Sequence, residues 1–167
     1  PNYGEFYEPR HFTPAPECGG IITVAGREVP FGTDLVFSCR EMPEFSFGCE
    51  ICEDLWVPAP PSVRLAEAGA MIICNLSASD ETVGKAAYRR SLVADQSARL
   101  LAGYIYADAG CGESTQDMVF AGHDINGENG ALLSESKPFA DADGLPMAVT
   151  EIDVQKLSAE RQRMNTF

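Results

Sequence analysis

The sequence predicts an α/β fold, and three observations carry that prediction. Between residues 45 and 109 the apolar pattern runs strand, helix, strand, helix, strand, the order that lays helices onto a sheet. The chain has 167 residues, 45% of them hydrophobic, which suits one domain or a large piece of one with a real core. No stretch approaches the roughly 20 continuous apolar residues that a membrane-spanning helix needs.

Each element has its own local reason. Residues 1–19, rich in proline, glycine and aromatics, read as an ordered loop. Residues 21–31 alternate around Ala25-Gly26 and predict a hairpin. Residues 35–39 form a short strand, and 45–52 another that mixes alternating and continuous apolar positions. Val57-Pro58-Ala59-Pro60-Pro61 cannot be helical, because successive prolines remove donors and fix φ. Ser62 then stands where a helix cap belongs, ahead of a short helix over 63–68 that Gly69 ends. Residues 70–76 are β-compatible, 85–102 form an amphipathic helix and 103–109 return to strand. Asn129-Gly130 between 117–125 and 131–136 is a hairpin signal. Residues 147–154 predict a further strand, and 154–164 a polar terminal helix.

Composition excludes some partners. The formal net charge of −13 and the 12 scattered Lys and Arg residues argue against nucleic acid and anionic membranes. No basic-then-apolar leader opens the chain, so nothing points to secretion. The six cysteines, Cys18, Cys39, Cys49, Cys52, Cys74 and Cys111, therefore read as reduced cytoplasmic thiols. Cys39, Cys49 and Cys74 sit in apolar runs, where cysteine acts as a small buried hydrophobe. Starting at Pro1 in the middle of a motif, the chain reads as a piece of a longer protein.

Chemistry-bearing residues are few. His11 and His123 have no metal-ligand spacing to other His or Cys residues, so no metal site is expected. Cys49-Glu50-Ile51-Cys52 has the CxxC form, but no second ligand pair accompanies it, and it ends a strand rather than opening a helix. No phosphate-cradling glycine loop occurs. A strand that delivers Cys52 at its end, followed by acidic residues and a turn, can expose a nucleophile at a sheet edge; spacing alone favours a buried strand cysteine beside an exposed Glu53-Asp54 pair.

Resemblance separates these readings. Gly48-Cys49-Glu50-Ile51-Cys52-Glu53-Asp54 resembles the G-x-x-I-C-x-D nucleophile motif of the nitrilase (carbon–nitrogen hydrolase) superfamily. With Leu55-Trp56-Val57-Pro58 it is similar to the glutaminase branch joined to NAD synthetases. Further matches to that branch are Pro1-Asn2-Tyr3-Gly4-Glu5-Phe6-Tyr7-Glu8, Val29-Pro30-Phe31-Gly32-Thr33-Asp34-Leu35 and Asn75-Leu76-Ser77-Ala78-Ser79. Tyr88-Arg89-Arg90-Ser91-Leu92-Val93-Ala94, Gly112-Glu113-Ser114-Thr115-Gln116-Asp117 and the stretch from Glu160-Arg161 to Asn165-Thr166-Phe167 continue it, so the likeness covers nearly the whole chain.

The resemblance implies a nitrilase-like α-β-β-α sandwich, with residues 1–167 forming a partial domain whose N-terminal portion lies outside the chain. It implies a Glu–Lys–Cys triad in which Cys52 attacks the side-chain amide of glutamine, expels ammonia and leaves a thioester for water to hydrolyse. The base and the lysine would lie upstream of Pro1, so the chain alone is expected to be inactive. Glu5 resembles the second glutamate that orients the lysine, or is an exposed loop acid. Tyr3, Phe6, Glu53 and Ser79 would contact glutamine, although Tyr3 and Phe6 also suit loop packing and Ser79 a cap. Trp56 would wall the pocket or anchor packing, and Arg89 and Arg90 would lie on a solvated or interface-facing helix surface.

No cofactor is implied within this domain. ATP and magnesium belong to a C-terminal synthetase domain of the same polypeptide, which would receive the ammonia and convert nicotinic acid adenine dinucleotide to NAD. Homo-oligomers paired through their sheets are expected by the same resemblance. Two alternatives stand beside this one: a free-standing nitrilase-family amidase, and a non-catalytic structural fragment.

Overall fold

The structure, a computed structural model, describes residues 10–16, 18–110, 112–113, 118–140 and 147–167. It divides into two compact units, residues 1–35 and 36–167. In the first, β1 (Gly20–Val24) and β2 (Arg27–Phe31) pair antiparallel with Val24 opposite Arg27. Ala25 and Gly26 both take positive φ, 49° and 76°, as a two-residue turn matched to strand twist requires. The predicted hairpin forms.

The second unit is a six-stranded sheet in the order β3 (Val36–Ser38), β4 (Ser46–Ile51), β5 (Ile72–Ser77), β6 (Gly103–Asp108), β7 (Ile125–Glu128), β8 (Ala131–Glu135). The three central strands are parallel and the outer pairings antiparallel. Each parallel step needs a crossover, and helices supply it: α1 (Pro61–Glu67) joins β4 to β5, and α2 (Lys85–Arg99) joins β5 to β6. Asn129-Gly130, with φ of 45° and 89°, closes the β7–β8 hairpin as its sequence predicts.

Strand alternation sorts the sheet into two faces. Ile73, Tyr104, Tyr106 and Ile125 meet Leu65, Ala66 and Val93 from the helices in one buried core. Gly48 lets α1 settle against β4, because a Cβ there would lie 3.0 Å from Leu65 Cδ1. The opposite face carries Phe47, Cys49 and Ile51 in register with Ile72, Cys74 and Leu76. Ile51 and Leu76 on that face are 62% and 57% exposed.

Three expectations change. Helix α1 begins two residues early, with Pro60 as its cap and Pro61 in its first turn, where the missing N–H costs nothing. Ser62 is therefore no cap; it is buried, and its N–H donates to Glu50 Oε2 at 2.9 Å. The sheet's own carboxylate caps the helix. Residues 118–124 are not a strand beyond one bridge between Phe120 and Asp80. Their backbone bonds go to separate partners instead: Val119 O accepts from Glu81, Gly122 N–H donates to Ala109 and Ala121 O accepts from Phe139. Residues 147–153 form no strand either. Asp153 takes Lys156 N–H at 2.9 Å and caps α3 (Val154–Arg163), as a helix start demands.

Helix α3 ties the molecule's lower edge together through Arg161. Its guanidinium donates to the carbonyls of Ala70 at 2.8 Å, Leu100 at 3.0 Å and Leu101 at 3.1 Å. These carbonyls follow the ends of α1 and α2, where helix geometry leaves acceptors without partners.

Candidate active site

Because β4, β5 and β6 are parallel, their C-terminal ends open on one edge, the usual place for chemistry in such sheets. Cys52 stands at this edge as the first residue of a 3₁₀ turn, Cys52–Trp56. Its φ is +51°, a left-handed conformation that costs a non-glycine residue about 1–3 kcal/mol and persists only where the surroundings impose it. Two features hold the turn. Asp54 Oδ2 accepts from Ile51 N–H at 2.8 Å, and Leu55, 3% exposed, anchors it in the core. The Trp56 ring tilts against Tyr88 at 5.2 Å, with Lys85 Nζ 5.5 Å above it. Glu53 is exposed beside the cysteine.

Behind Cys52 lies a buried polar network. Cys52 N–H donates to Asn75 Oδ1 at 3.1 Å, and Asn75 Nδ2 donates back to Cys52 O and on to the Tyr104 hydroxyl, both at 3.2 Å. Tyr104 donates to Glu50 Oε1. Burial, and then the neighbouring Glu50 carboxylate, push the Tyr104 phenol far up, so it stays a protonated donor. Glu50, Asn75 and Tyr104 are all at most 2% exposed.

Ser79 reaches the same edge in a second cluster. Its N–H donates to Asp108 Oδ1 at 2.9 Å, and its hydroxyl accepts from Arg89 Nη2 at 3.5 Å. Arg89 corrects an expectation: it is fully buried within the fold, not on a solvated or interface-facing surface. It shares the packed face of α2 with Val93, Gln96 and Ser97 at helical spacing, and acids on neighbouring elements make burial tolerable. Nη2 meets Glu81 at 3.0 Å and Asp108 at 3.8 Å, and Nη1 meets His123 Nδ1 at 3.0 Å. Arginine only donates, so Nδ1 accepts and His123 Nε2 carries the proton towards Glu135 Oε2, 2.9 Å away. Arg90 pairs with Glu135 at 2.6 Å on the more exposed side.

Burial outweighs the Ser79 N–H and Arg89 and raises the Asp108 carboxyl to about 6. A carboxyl whose folded pKa is raised costs stability above that pH, and the cost is relieved as pH falls towards the unfolded value. The melting-temperature gap between wild type and Asp108→Asn should therefore move in favour of wild type as pH falls from 7 to 5. A gap constant across that range would contradict the assignment.

The CxxC residues do not act together. Cys49 lies on the face away from the helices, in register with Cys74, and both thiols are pushed up by burial, Cys74 to about 11. A groove of about 670 Å³ lined by Glu44, Glu128, Glu151 and Asp153 sits at the opposite edge of the sheet and has no nucleophile in its lining. Among the described residues no group of three or more His, Cys, Asp and Glu could hold a metal ion, and no helix is long and apolar enough to cross a membrane.

Of the residues the sequence singled out, Cys52, Glu53 and Ser79 come to one edge; Tyr3, Glu5 and Phe6 lie outside the described residues. Glu50, Asn75, Tyr104 and Lys85 were not singled out. A glutamate inside an apolar strand, at a position alternate to the exposed Ile51, was the available signal for Glu50.

No protein-family model matches the chain. It is 47% identical over its whole length to the glutamine-dependent NAD(+) synthetase of Mycobacterium tuberculosis and 31% identical over 80% of its length to that of Drosophila melanogaster. The chain spans about a quarter, 24%, of the mycobacterial protein. The crystal structure of a glutamine-dependent NAD(+) synthetase from Cytophaga hutchinsonii superposes on 83% of the chain with a TM-score of 0.68 and 29% identity, using 21% of that protein. Saccharomyces cerevisiae Nit3, a member of branch 10 of the nitrilase superfamily, shares the fold with a TM-score of 0.63 over 82% of the chain and 47% of its own, at 17% identity. The chain is thus homologous from end to end with a segment of the glutamine-dependent NAD(+) synthetases and carries part of the nitrilase-superfamily fold.

Proposed function

We propose that residues 1–167 are the later part of the glutaminase domain of a glutamine-dependent NAD synthetase. The Cys52 thiolate attacks Cδ of the glutamine side chain, the C–N bond breaks, and the nitrogen leaves as ammonia after taking up a proton. Water then cleaves the thioester, releasing glutamate and regenerating the thiol. The observation that carries this reading is Cys52 itself: a cysteine in left-handed backbone conformation, on the carboxyl edge of parallel strands, in a chain 47% identical to such an enzyme.

Glutamine also presents an α-carboxylate and an α-ammonium group. Lys85, whose amine lies over Trp56 and 2.6 Å from Asp80, supplies a cation for the first, with Ser79 nearby in sequence and at the same edge. Exposed Glu53 supplies an anion for the second, and by the family resemblance Tyr3 and Phe6 would also contact glutamine. The general base and the lysine that faces the oxyanion come from outside these 167 residues, with Glu5 orienting that lysine. This chain taken alone is therefore expected not to hydrolyse glutamine. Its exposed apolar sheet face is the one a second sheet covers in an α-β-β-α sandwich.

The ammonia serves an ATP- and magnesium-dependent synthetase domain of the same polypeptide, in a cytoplasmic homo-oligomer. The test is NAD formation by the parent protein carrying Cys52→Ala: glutamine should no longer support it, and added ammonium should. Loss of both, or of neither, would contradict the proposal. Release of ammonia from other small amides, with no NAD formed, would favour the free-standing amidase.

A further inference from the structure

We propose that Asn75 is the positioning residue of Cys52, and that the buried Tyr104–Glu50 pair sets the orientation of its amide. The inference rests on the reading of Cys52 as the nucleophile and adds the device that aims it.

A left-handed cysteine needs its backbone polar groups fixed from outside, because no regular ladder continues through it. One side chain does this for both. Asn75 Oδ1 accepts from Cys52 N–H at 3.1 Å, and Asn75 Nδ2 donates to Cys52 O at 3.2 Å. The two bonds fix the peptide planes on either side of the Cys52 Cα, and hence the direction in which its Cα–Cβ bond leaves the chain.

An asparagine amide can sit two ways round, and only one serves here. Flipped, it would set NH₂ against the Cys52 N–H and an oxygen against the Cys52 carbonyl. The Tyr104 oxygen forbids the flip, whereas the Ser77 hydroxyl can donate or accept and only follows. Ser77 donates to Oδ1 at 2.7 Å, and Nδ2 lies 3.2 Å from the Tyr104 oxygen. That oxygen can only accept from Asn75, because its proton is committed to Glu50 Oε1. Glu50 is held in turn by the Ser62 N–H at the start of α1. Every bond from Glu50 to Cys52 thus has one permitted direction, and the orientation set by a buried carboxylate arrives at the nucleophile.

Small misplacement of a reacting group costs rate steeply, on the order of a hundredfold for about 1 Å. The test uses the full-length parent protein with Asn75→Asp, Asn75→Ala and Tyr104→Phe, and measures three things: kcat and KM for glutamine, the pH profile of Cys52 alkylation by iodoacetamide, and the melting temperature. Asn75→Asp keeps the shape, but turns an acceptor towards the Cys52 carbonyl and the Tyr104 oxygen. Tyr104→Phe keeps the packing and removes only the hydroxyl.

Expected is a fall in kcat of about tenfold or more for both Asn75 variants, with KM changed less than about threefold and an altered alkylation profile. Tyr104→Phe should shift the same readouts in the same direction by less. Folded variants with wild-type kcat and alkylation would overturn the proposal, whatever their melting temperatures. Should the Asn75 variants not accumulate as folded protein, Tyr104→Phe carries the test, and unchanged kcat and alkylation there overturn it. Cys52→Ala runs alongside: if that variant keeps full turnover, it is the nucleophile assignment that fails.

Discussion

Cys52→Ala is expected to lower glutamine-supported NAD formation by the parent protein at least about a thousandfold, since removing a covalent nucleophile leaves only what binding and oxyanion stabilisation contribute. Ammonium-supported formation should be unchanged within about twofold, because the substitution leaves an Ala Cβ where the thiol was and spares the two contacts Asn75 makes to residue 52, which are both to its backbone. Cys49→Ala is the informative comparison. Cys49 faces away from the helices beside Cys74, and burial raises its thiol, so it is neither at the edge nor predisposed to ionise. Its replacement should reduce activity by less than about threefold, through lost packing alone. Equal losses for the two cysteines would return the CxxC pair to consideration and remove Cys52 from its role.

Arg89→Met should produce the largest loss of stability, about 3–5 kcal/mol, because one partner of a buried ion cluster is removed and the others stay. Methionine approximates the volume, so cavity formation contributes little. What remains is Asp108, fully buried by its side chain, together with Glu81 and a His123 ring whose Nδ1 has lost its donor. Denaturant melts of the parent protein should show this loss, and the double variant Arg89→Met/Asp108→Asn should recover part of it by removing the stranded charge. A single variant as stable as wild type would show that the cluster carries no net stabilisation. Arg89 also holds the Ser79 hydroxyl, so KM for glutamine should rise in whatever fraction stays folded.

Much of the fold is legible in the sequence because its signals are local. Gly26 and Asn129-Gly130 readily take the positive φ that two-residue turns need, and both turns form where those residues stand. The strand–helix alternation from β4 to β6 likewise follows hydrophobic period alone. Errors fall where a partner distant in sequence outweighs local preference. Ser62 has the right chemistry for a cap, but Pro60 precedes a proline that starts the helix, and Glu50, 12 residues upstream, reaches the orphan N–H. Residues 147–153 have strand composition, yet Asp153 capping and Ile152 packing over Gly103 serve α3 instead of a sheet edge.

The site divides in the same way. Cys52, Glu53 and Ser79 are proposed from motif likeness, since nothing in spacing separates Cys52 from a buried structural cysteine. Asn75 and Tyr104 were not found as partners of the cysteine, because their contacts span 23 and 29 residues and depend on parallel register between β4, β5 and β6. Arg89 was misplaced because arginine on a helix reads as solvated until acids from Glu81 and Asp108 are known to face it. Polar groups in a core are specified by the company they keep, and that company is set by tertiary structure.

The whole account turns on whether the sulfur of residue 52 forms an acyl bond with glutamine. The direct measurement is mass spectrometry of the parent protein after treatment with an electrophilic glutamine analogue, a diazoketone that alkylates the attacking thiol. The account predicts one equivalent of label per chain, on Cys52, blocked by excess glutamine and accompanied by loss of glutamine-supported turnover. Inactivation with Cys52 unlabelled, or label on Cys49 instead, would contradict it.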